Sequence, residues 1–289
     1  MEYVILNGDL IARSEAKVDI EDRGYQFGDG VYEVIRIYNG KMFTADDHLE
    51  RLLESGKKIE LNIPYSKDQL KQMLIEMIEK NNLGLGIVYM QFSRGTSPRN
   101  HAYPGADVAP VLTAYTRETN RPVESMRKGV KAILIEDIRW LRCDIKSLNL
   151  LGNIMAKQKA AQSGCFEAIQ HRGNTVTEGS SSNIAIVKDG TLYTHPATNL
   201  ILNGITRRKI NEICGVNGIP LKEMAFTKEE LLAADEVFMS STSAEITPII
   251  EIEGKMIGNG SPGHITTKLQ DLFEEAIENQ CGSLAVKIK

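Results

Sequence analysis

No stretch of the chain approaches the ~18 uninterrupted apolar residues of a membrane-spanning helix, so a helical membrane protein is not expected. The start, Met1-Glu2-Tyr3-Val4-Ile5-Leu6-Asn7-Gly8-Asp9, lacks both a positive segment and a long apolar one. It reads as a first β-strand rather than a secretory signal. Cysteine is sparse: Cys143, Cys165, Cys214 and Cys281 are widely spread and form no CxxC pair. That pattern argues against a disulfide framework and implies reduced thiols in the cytoplasm. Charge of either sign never accumulates in a block, and 34 basic against 38 acidic residues leave a net charge of −4. Neither nucleic acid nor an anionic membrane is therefore an expected partner. Repeats, low-complexity segments, a GxxxxGK[ST] loop, a GxSxG elbow and an HExxH pair are all missing, and Gly84-Leu-Gly86 lacks the third glycine of GxGxxG. No metal is expected.

What remains is a globular chain of 289 residues, 42 % apolar and 25 % charged. At that length a single core stops growing, and two domains are expected. Asn7-Gly8 and Asn39-Gly40 signal hairpins. Helical spacing marks 46–61, with Leu49, Leu52, Leu53, Gly56 and Ile59 on one face, and 67–81, with Leu70, Met73, Leu74, Met77 and Ile78. Strands follow at 87–94 and 111–116. This β-β-helix-helix-β-β order indicates an α+β first domain, 1–118. The polar stretch Arg117 to Pro122 ends in proline, and residues 119–122 are read as the linker. In 123–289, strands are expected at 130–135, 168–171, 183–188, 192–193 and 237–240, with helices at 148–163, 206–216 and 266–280. Many short strands with few helices favour a curved or barrel-like sheet.

Three segments carry chemistry. Lys146, in Arg139-Trp-Leu-Arg-Cys-Asp-Ile-Lys146-Ser-Leu-Asn149, is placed at a strand-to-helix junction, before a helix capped near Ser147 or Asn149. A lysine amine forms imines only when burial or a neighbouring cation lowers its pKa from ~10.4. Arg139 and Arg142 could supply that charge; taken alone, Lys146 more often reads as a surface lysine. Val176-Thr-Glu178-Gly-Ser180-Ser-Ser-Asn183 is a hydrogen-bonding loop with one carboxylate, or simply a Gly/Ser turn. Leu202-Asn-Gly204-Ile-Thr206-Arg207 opens a helix whose first N–H groups suit a phosphate. Together they offer an amine, a carboxylate and an anion-binding helix end, the three grips that pyridoxal 5′-phosphate needs.

Glu178-x-Ser180-x-x-Asn183-Ile184, Leu192-x-Thr194 and Leu202-x-Gly204-Ile205-x-Arg207 resemble the signature of the class-IV aminotransferases, with Ala185 at a usually aromatic position. The resemblance runs the length of the chain through Asp22 to Glu33, His48 to Leu52, Arg94 to His101 and Arg139 to Asn153, where it is similar to the D-specific branch of that family. It implies a fold-type IV α+β architecture: a small α/β N-terminal domain, a larger pseudo-barrel C-terminal domain, and cofactor bound in a homodimer. It further implies Lys146 as the Schiff-base lysine and proton carrier, and Glu178 as partner of the pyridine nitrogen. Arg51, Ile205, Thr206 and Thr242 match the phosphate grip. Ser180, Ser181 and Ser182 match the loop beside the ring, and Tyr32, Arg99 and His101 the substrate-carboxylate trap. In the family the last two reach in from the neighbouring subunit.

The activity so implied is ping-pong amino transfer between D-amino acids and 2-oxo acids, D-alanine with 2-oxoglutarate giving pyruvate and D-glutamate. A branched-chain L-amino-acid aminotransferase, an aminodeoxychorismate lyase, a non-catalytic cofactor-binding protein and a serine amidase acting through Ser180 to Ser182 are the alternatives.

Overall fold

The computed structural model of the chain describes residues 2–288. They pack as two units. One is the chain up to Asn120 together with Ile145–Asn149; the other is Arg121–Asp144 and the chain from Leu150 onward.

The first unit contains β1 (Tyr3–Leu6), β2 (Asp9–Ala12), α1 (Arg23–Phe27), β3 (Gly30–Tyr38), β4 (Lys41–Met42), α2 (Ala45–Lys58), α3 (Lys67–Lys80), β5 (Gly86–Ser93) and β6 (Val111–Glu118). Its sheet is antiparallel throughout, in the order β2-β1-β6-β5-β3-β4. Both Asn-Gly pairs turn hairpins with positive φ at the asparagine and the glycine, as type I′ geometry demands. In β3 the side chains of Val31, Ile35 and Ile37 join Leu49 and Leu52 of α2 and Leu70, Leu74 and Met77 of α3 in one core. Four strands, not two, precede the helices, and the short α1 between them escapes periodicity because five residues hold barely one turn.

The second unit contains α4 (Val123–Lys128), β7 (Val130–Glu136), α5 (Leu151–Gln162), β8 (Glu167–Arg172), β9 (Thr175–Gly179), β10 (Asn183–Lys188), β11 (Thr191–Thr194), α6 (Ile205–Val216), β12 (Leu221–Glu223), α7 (Lys228–Leu232), β13 (Glu236–Ser241), β14 (Glu245–Ile252), β15 (Lys255–Met256) and α8 (His264–Cys281). Its sheet runs β12-β11-β10-β13-β14-β7-β8-β9, with β15 beside β14. β9 closes one end of that order, yet only Ser180, Ser181 and Ser182 separate it from β10 near the other, and Gly179 N–H bonds Ser182 O at 2.8 Å. A flat sheet could not satisfy both, so this one curls, as the barrel-like expectation requires.

The helix expected from Leu148 begins three residues later. α5 has Leu150 at its N-cap, with no side-chain cap from Ser147 or Asn149. The reason is tertiary pairing: Ser147 bridges Val31, Leu148 N–H bonds Gly30 O, and Asn149 Nδ2 bonds Gly28 O. Lys146 therefore lies in an extended segment well past β7, not at a direct strand-to-helix junction.

Candidate functional site

In the first unit, Lys146 is gripped through its backbone. Its carbonyl accepts from Tyr32 N–H at 3.0 Å, and its own N–H donates to Ser55 Oγ at 3.3 Å. The Nζ ammonium lies 4.2 Å from the centre of the Tyr32 ring, and no carboxylate pairs with it among the described residues. Tyr32 in turn stacks on Tyr89 at 5.7 Å. The amine is thus held against an aromatic face by a seated backbone, with no carboxylate to neutralise it.

Arg51 projects from the same face of α2 as Ser55, one turn earlier. Its Nε and Nη2 meet Glu33 Oε1 and Oε2 at 2.6 and 3.0 Å, and His48 Nδ1 lies 2.8 Å from Oε2. All three are buried. Burial alone would raise the Glu33 carboxyl, but Arg51 and His48 outweigh it and hold the group far below the usual carboxylate range. Burial pushes the His48 imidazole below its ordinary value, and the charges of Arg51 and Lys146 add to that against Glu33. Glu33 and His48 stand in stretches that carry the family resemblance but receive no role from it; the available signal for Glu33 is an acidic residue sharing the parity of Val31, Ile35 and Ile37.

Arg99 and His101 are exposed in the bent segment after β5. Both lie against Phe27, the guanidinium 4.8 Å and the imidazole ring 5.5 Å from its centre. Arg23 Nη1 donates to Asn100 O at 2.6 Å and pins the residue between them. No hydrogen bond or ring contact joins either one to Tyr32 within the described chain.

In the second unit, Glu178 is the next-to-last residue of β9, with its carboxylate buried. Oε1 pairs with Arg139 Nη1 at 2.5 Å, while Oε2 accepts from Leu202 N–H at 3.0 Å and Asn183 Nδ2 at 3.2 Å. Burial raises this carboxyl above its ordinary value, against the pull of Arg139. Arg139 also binds Asp137, which takes Arg172 and Thr177 as well. Exposed Arg142 pairs instead with half-buried Asp144.

Asn183 bonds Leu202 O at 2.8 Å as well, so it joins the carboxylate to the turn that opens α6. There Gly204 is the N-cap and no side chain caps the helix, so the N–H groups of Ile205 and Thr206 point out of the first turn unsatisfied by a cap. A Cβ at Gly204 would lie 2.1 Å from Asn183 Oδ1. Arg207, in the signature, turns elsewhere: it binds Thr194, His195 O, Asn203 and Glu223, bracing the helix start.

Of the serines, Ser180 and Ser182 are buried and both bind Glu167, through Oγ at 2.5 and 2.7 Å, while Ser181 is exposed. Glu167 is a further buried carboxylate that the motifs miss. Thr242 lies in the turn between β13 and β14, where Ser241 Oγ accepts from Ala244 N–H. The described residues hold no cluster fit for a metal ion.

Each unit thus holds a built group of its own: in the first, an amine beside a clamped arginine; in the second, a carboxylate tied to an uncapped helix end. Residues 30–252 match the model of the amino-transferase class IV family. D-alanine aminotransferase of Staphylococcus aureus is 51 % identical over 279 residues, covering 96 % of this chain and 99 % of that protein. The protein of the same name from Listeria monocytogenes is 54 % identical over 283 residues, covering 97 % and 98 %. Among solved structures, the branched-chain amino acid aminotransferase of Escherichia coli superposes with a TM-score of 0.92 at 28 % identity, covering 98 % of this chain and 96 % of that one. That of Thermoproteus uzoniensis, solved with norvaline, gives 0.88 at 32 % identity over 100 % and 99 %.

Proposed function

The chain belongs to the class-IV aminotransferases, and from that membership we propose that it is a D-amino-acid transaminase exchanging amino groups between D-alanine, D-glutamate and their 2-oxo acids. Pyridoxal 5′-phosphate is the cofactor of this family. One observation carries the choice of substrate: identity of 51–54 % along nearly the whole chain to D-alanine aminotransferases, against 28–32 % to branched-chain enzymes of the same fold.

The residues present fit the cofactor. The uncapped start of α6 offers the N–H groups of Ile205 and Thr206 to a phosphate. The buried Glu178 carboxylate uses three of its roughly four acceptor sites within the chain, which leaves one for a ring N–H. When bound, the cofactor supplies an electron sink for the pair of electrons left on the substrate Cα.

The protein's own groups do the rest. Lys146 Nζ would hold the cofactor covalently, and the same amine would move the proton taken from the substrate Cα. Glu178 holds the proton on the ring nitrogen, and Arg139 and Asn183 hold Glu178. Arg51, with Ile205, Thr206 and Thr242, takes the phosphate, and Ser180, Ser181 and Ser182 flank the ring. Tyr32, Arg99 and His101 receive the substrate carboxylate, which a guanidinium fork suits.

A homodimer is part of this reading. Among the described residues no hydrogen bond or ring contact joins Arg99 or His101 to Tyr32, and exposed Ile138, Trp140, Leu141, Leu151 and Ile154 offer an apolar surface to a second copy. None of the four cysteines is in a disulfide, which supports a cytoplasmic location. The test is direct: D-alanine with 2-oxoglutarate should yield pyruvate, and L-alanine should not. Preference for L-amino acids would transfer the chain to the branched-chain reading.

A further inference from the structure

Glu33 is a charge where the sequence pattern calls for an apolar side chain. It sits on β3 in step with Val31, Ile35 and Ile37 of the core, and it is 0 % exposed. Taking two charges out of water costs several kcal/mol per ion, so a buried ion pair is often no more stabilising than apolar side chains of equal volume. Stability therefore gives little reason for the pair, and the geometry it imposes is the better explanation.

That geometry is specific. Two roughly parallel N–H···O bonds, at 2.6 and 3.0 Å, fix the plane of the Arg51 guanidinium. His48, one turn earlier on α2, bonds the same carboxylate at 2.8 Å and limits its rotation. Tyr32, the preceding residue of β3, points to the opposite face of the sheet. Its N–H holds the Lys146 carbonyl, while Ser55, one turn beyond Arg51 on α2, holds the Lys146 N–H. The strand and helix that aim Arg51 are thus the ones that seat the lysine.

We infer that Glu33 is a positioning residue for the cofactor phosphate: by fixing the Arg51 guanidinium in one plane, it sets how much the phosphate contributes to binding. The inference rests on the reading that Arg51 meets that phosphate. Glu33 touches no ligand and acts only through the arginine.

The experiment compares two ligands on the full-length chain freed of cofactor: pyridoxal 5′-phosphate, and pyridoxal, which lacks the phosphate. The readout is the ratio of their dissociation constants. Glu33→Gln should lower the preference for the phosphorylated ligand by roughly ten- to a hundredfold, the scale of one hydrogen bond to a charged group, with pyridoxal affinity nearly unmoved. In an Arg51→Lys background the same change should have no further effect on the ratio. An unaltered ratio, or an equal loss for both ligands, overturns the inference and leaves Glu33 a structural residue. If Glu33→Gln does not fold, Glu33→Asp, which keeps the charge but withdraws it by one methylene, is judged by the same ratio. Arg51→Lys with full phosphate preference would instead remove Arg51 from the phosphate grip, a failure of the underlying reading that is distinguishable from a failure of Glu33 alone.

Discussion

Gly204→Ala tests whether the Glu178 network and the start of α6 work as one piece. The backbone there has φ −61 and ψ 139, which alanine adopts without strain, so the effect of the substitution is steric. The new methyl would stand 2.1 Å from Asn183 Oδ1. Optimal non-bonded separations begin near 3.5 Å, so a displacement of more than about 1 Å is required. Asn183 is the side chain free to give way, and in moving it abandons bonds to Glu178 Oε2 and Leu202 O. The bond to the carboxylate is worth about 1.5–3 kcal/mol and the one to the carbonyl about 0.5–1.5 kcal/mol. Loss of the first alone should weaken cofactor binding about ten- to a hundredfold. The assay is a titration of cofactor-free protein followed by absorbance, with Asn183→Ala and the double variant completing a cycle. If the clash is the cause, Gly204→Ala should add little once Asn183 is already alanine. Parent-like affinity in Gly204→Ala, or strict additivity in the cycle, would refute the reasoning.

Lys146→Ala should retain the cofactor through its phosphate while losing the visible absorbance of the lysine-bound form and several orders of magnitude in turnover; near-normal turnover would remove Lys146 from the mechanism. Arg99→Met should raise KM for D-alanine and D-glutamate by about ten- to a hundredfold with cofactor still bound, and an unchanged KM would free Arg99 from the carboxylate trap. His48 gives a pH prediction. Its folded-state pKa is depressed below 6.5 by burial first, with the Arg51 and Lys146 charges adding. The stability carried by its neutral form is therefore fully present above that value and lost as pH falls through the folded one. The thermal midpoint should drop as pH falls below about 6.5, and His48→Gln should remove part of that drop. His195, depressed by its own burial, contributes a drop of the same sign. An identical slope in the variant would exclude His48 as its source.

The sequence made the segments around Lys146, Glu178 and Gly204 visible because glycine, serine and asparagine at turns leave local marks. The partners of those residues were hidden for a physical reason. On α2 the apolar positions Leu49 and Leu52 set the periodicity, yet His48, Arg51 and Ser55 are equally buried beside them. Helical spacing reveals which face is apolar, not that polar groups can share it when each has a partner. Glu167 and Asp137 were invisible in the same way, since one carboxylate in or beside a strand looks like an outward position until its donors are placed. β14 escaped because Pro248 interrupts it, and a proline within a strand pattern argues against a strand. The fold accommodates it next to a register shift between Ile249 and Glu251. The late start of α5 had no local cause at all, since only pairing with distant Val31 and Gly30 keeps residues 145–149 extended.

That pairing has a consequence for synthesis. The chain leaves the first unit after Asn120, returns for Ile145–Asn149 and leaves again, so the lysine arrives as an insertion from later sequence. As the polypeptide emerges from the ribosome, Gly30 and Val31 wait for partners more than a hundred positions downstream. The first unit cannot complete its own hydrogen bonding until translation has passed well into the second, and a fragment ending at the apparent linker would lack both the strand partner and the amine. Vectorial, one-domain-at-a-time folding is the usual course for chains of this size. Here the two units must mature together, and a nascent chain stalled before residue 149 presents an unfinished edge to chaperones.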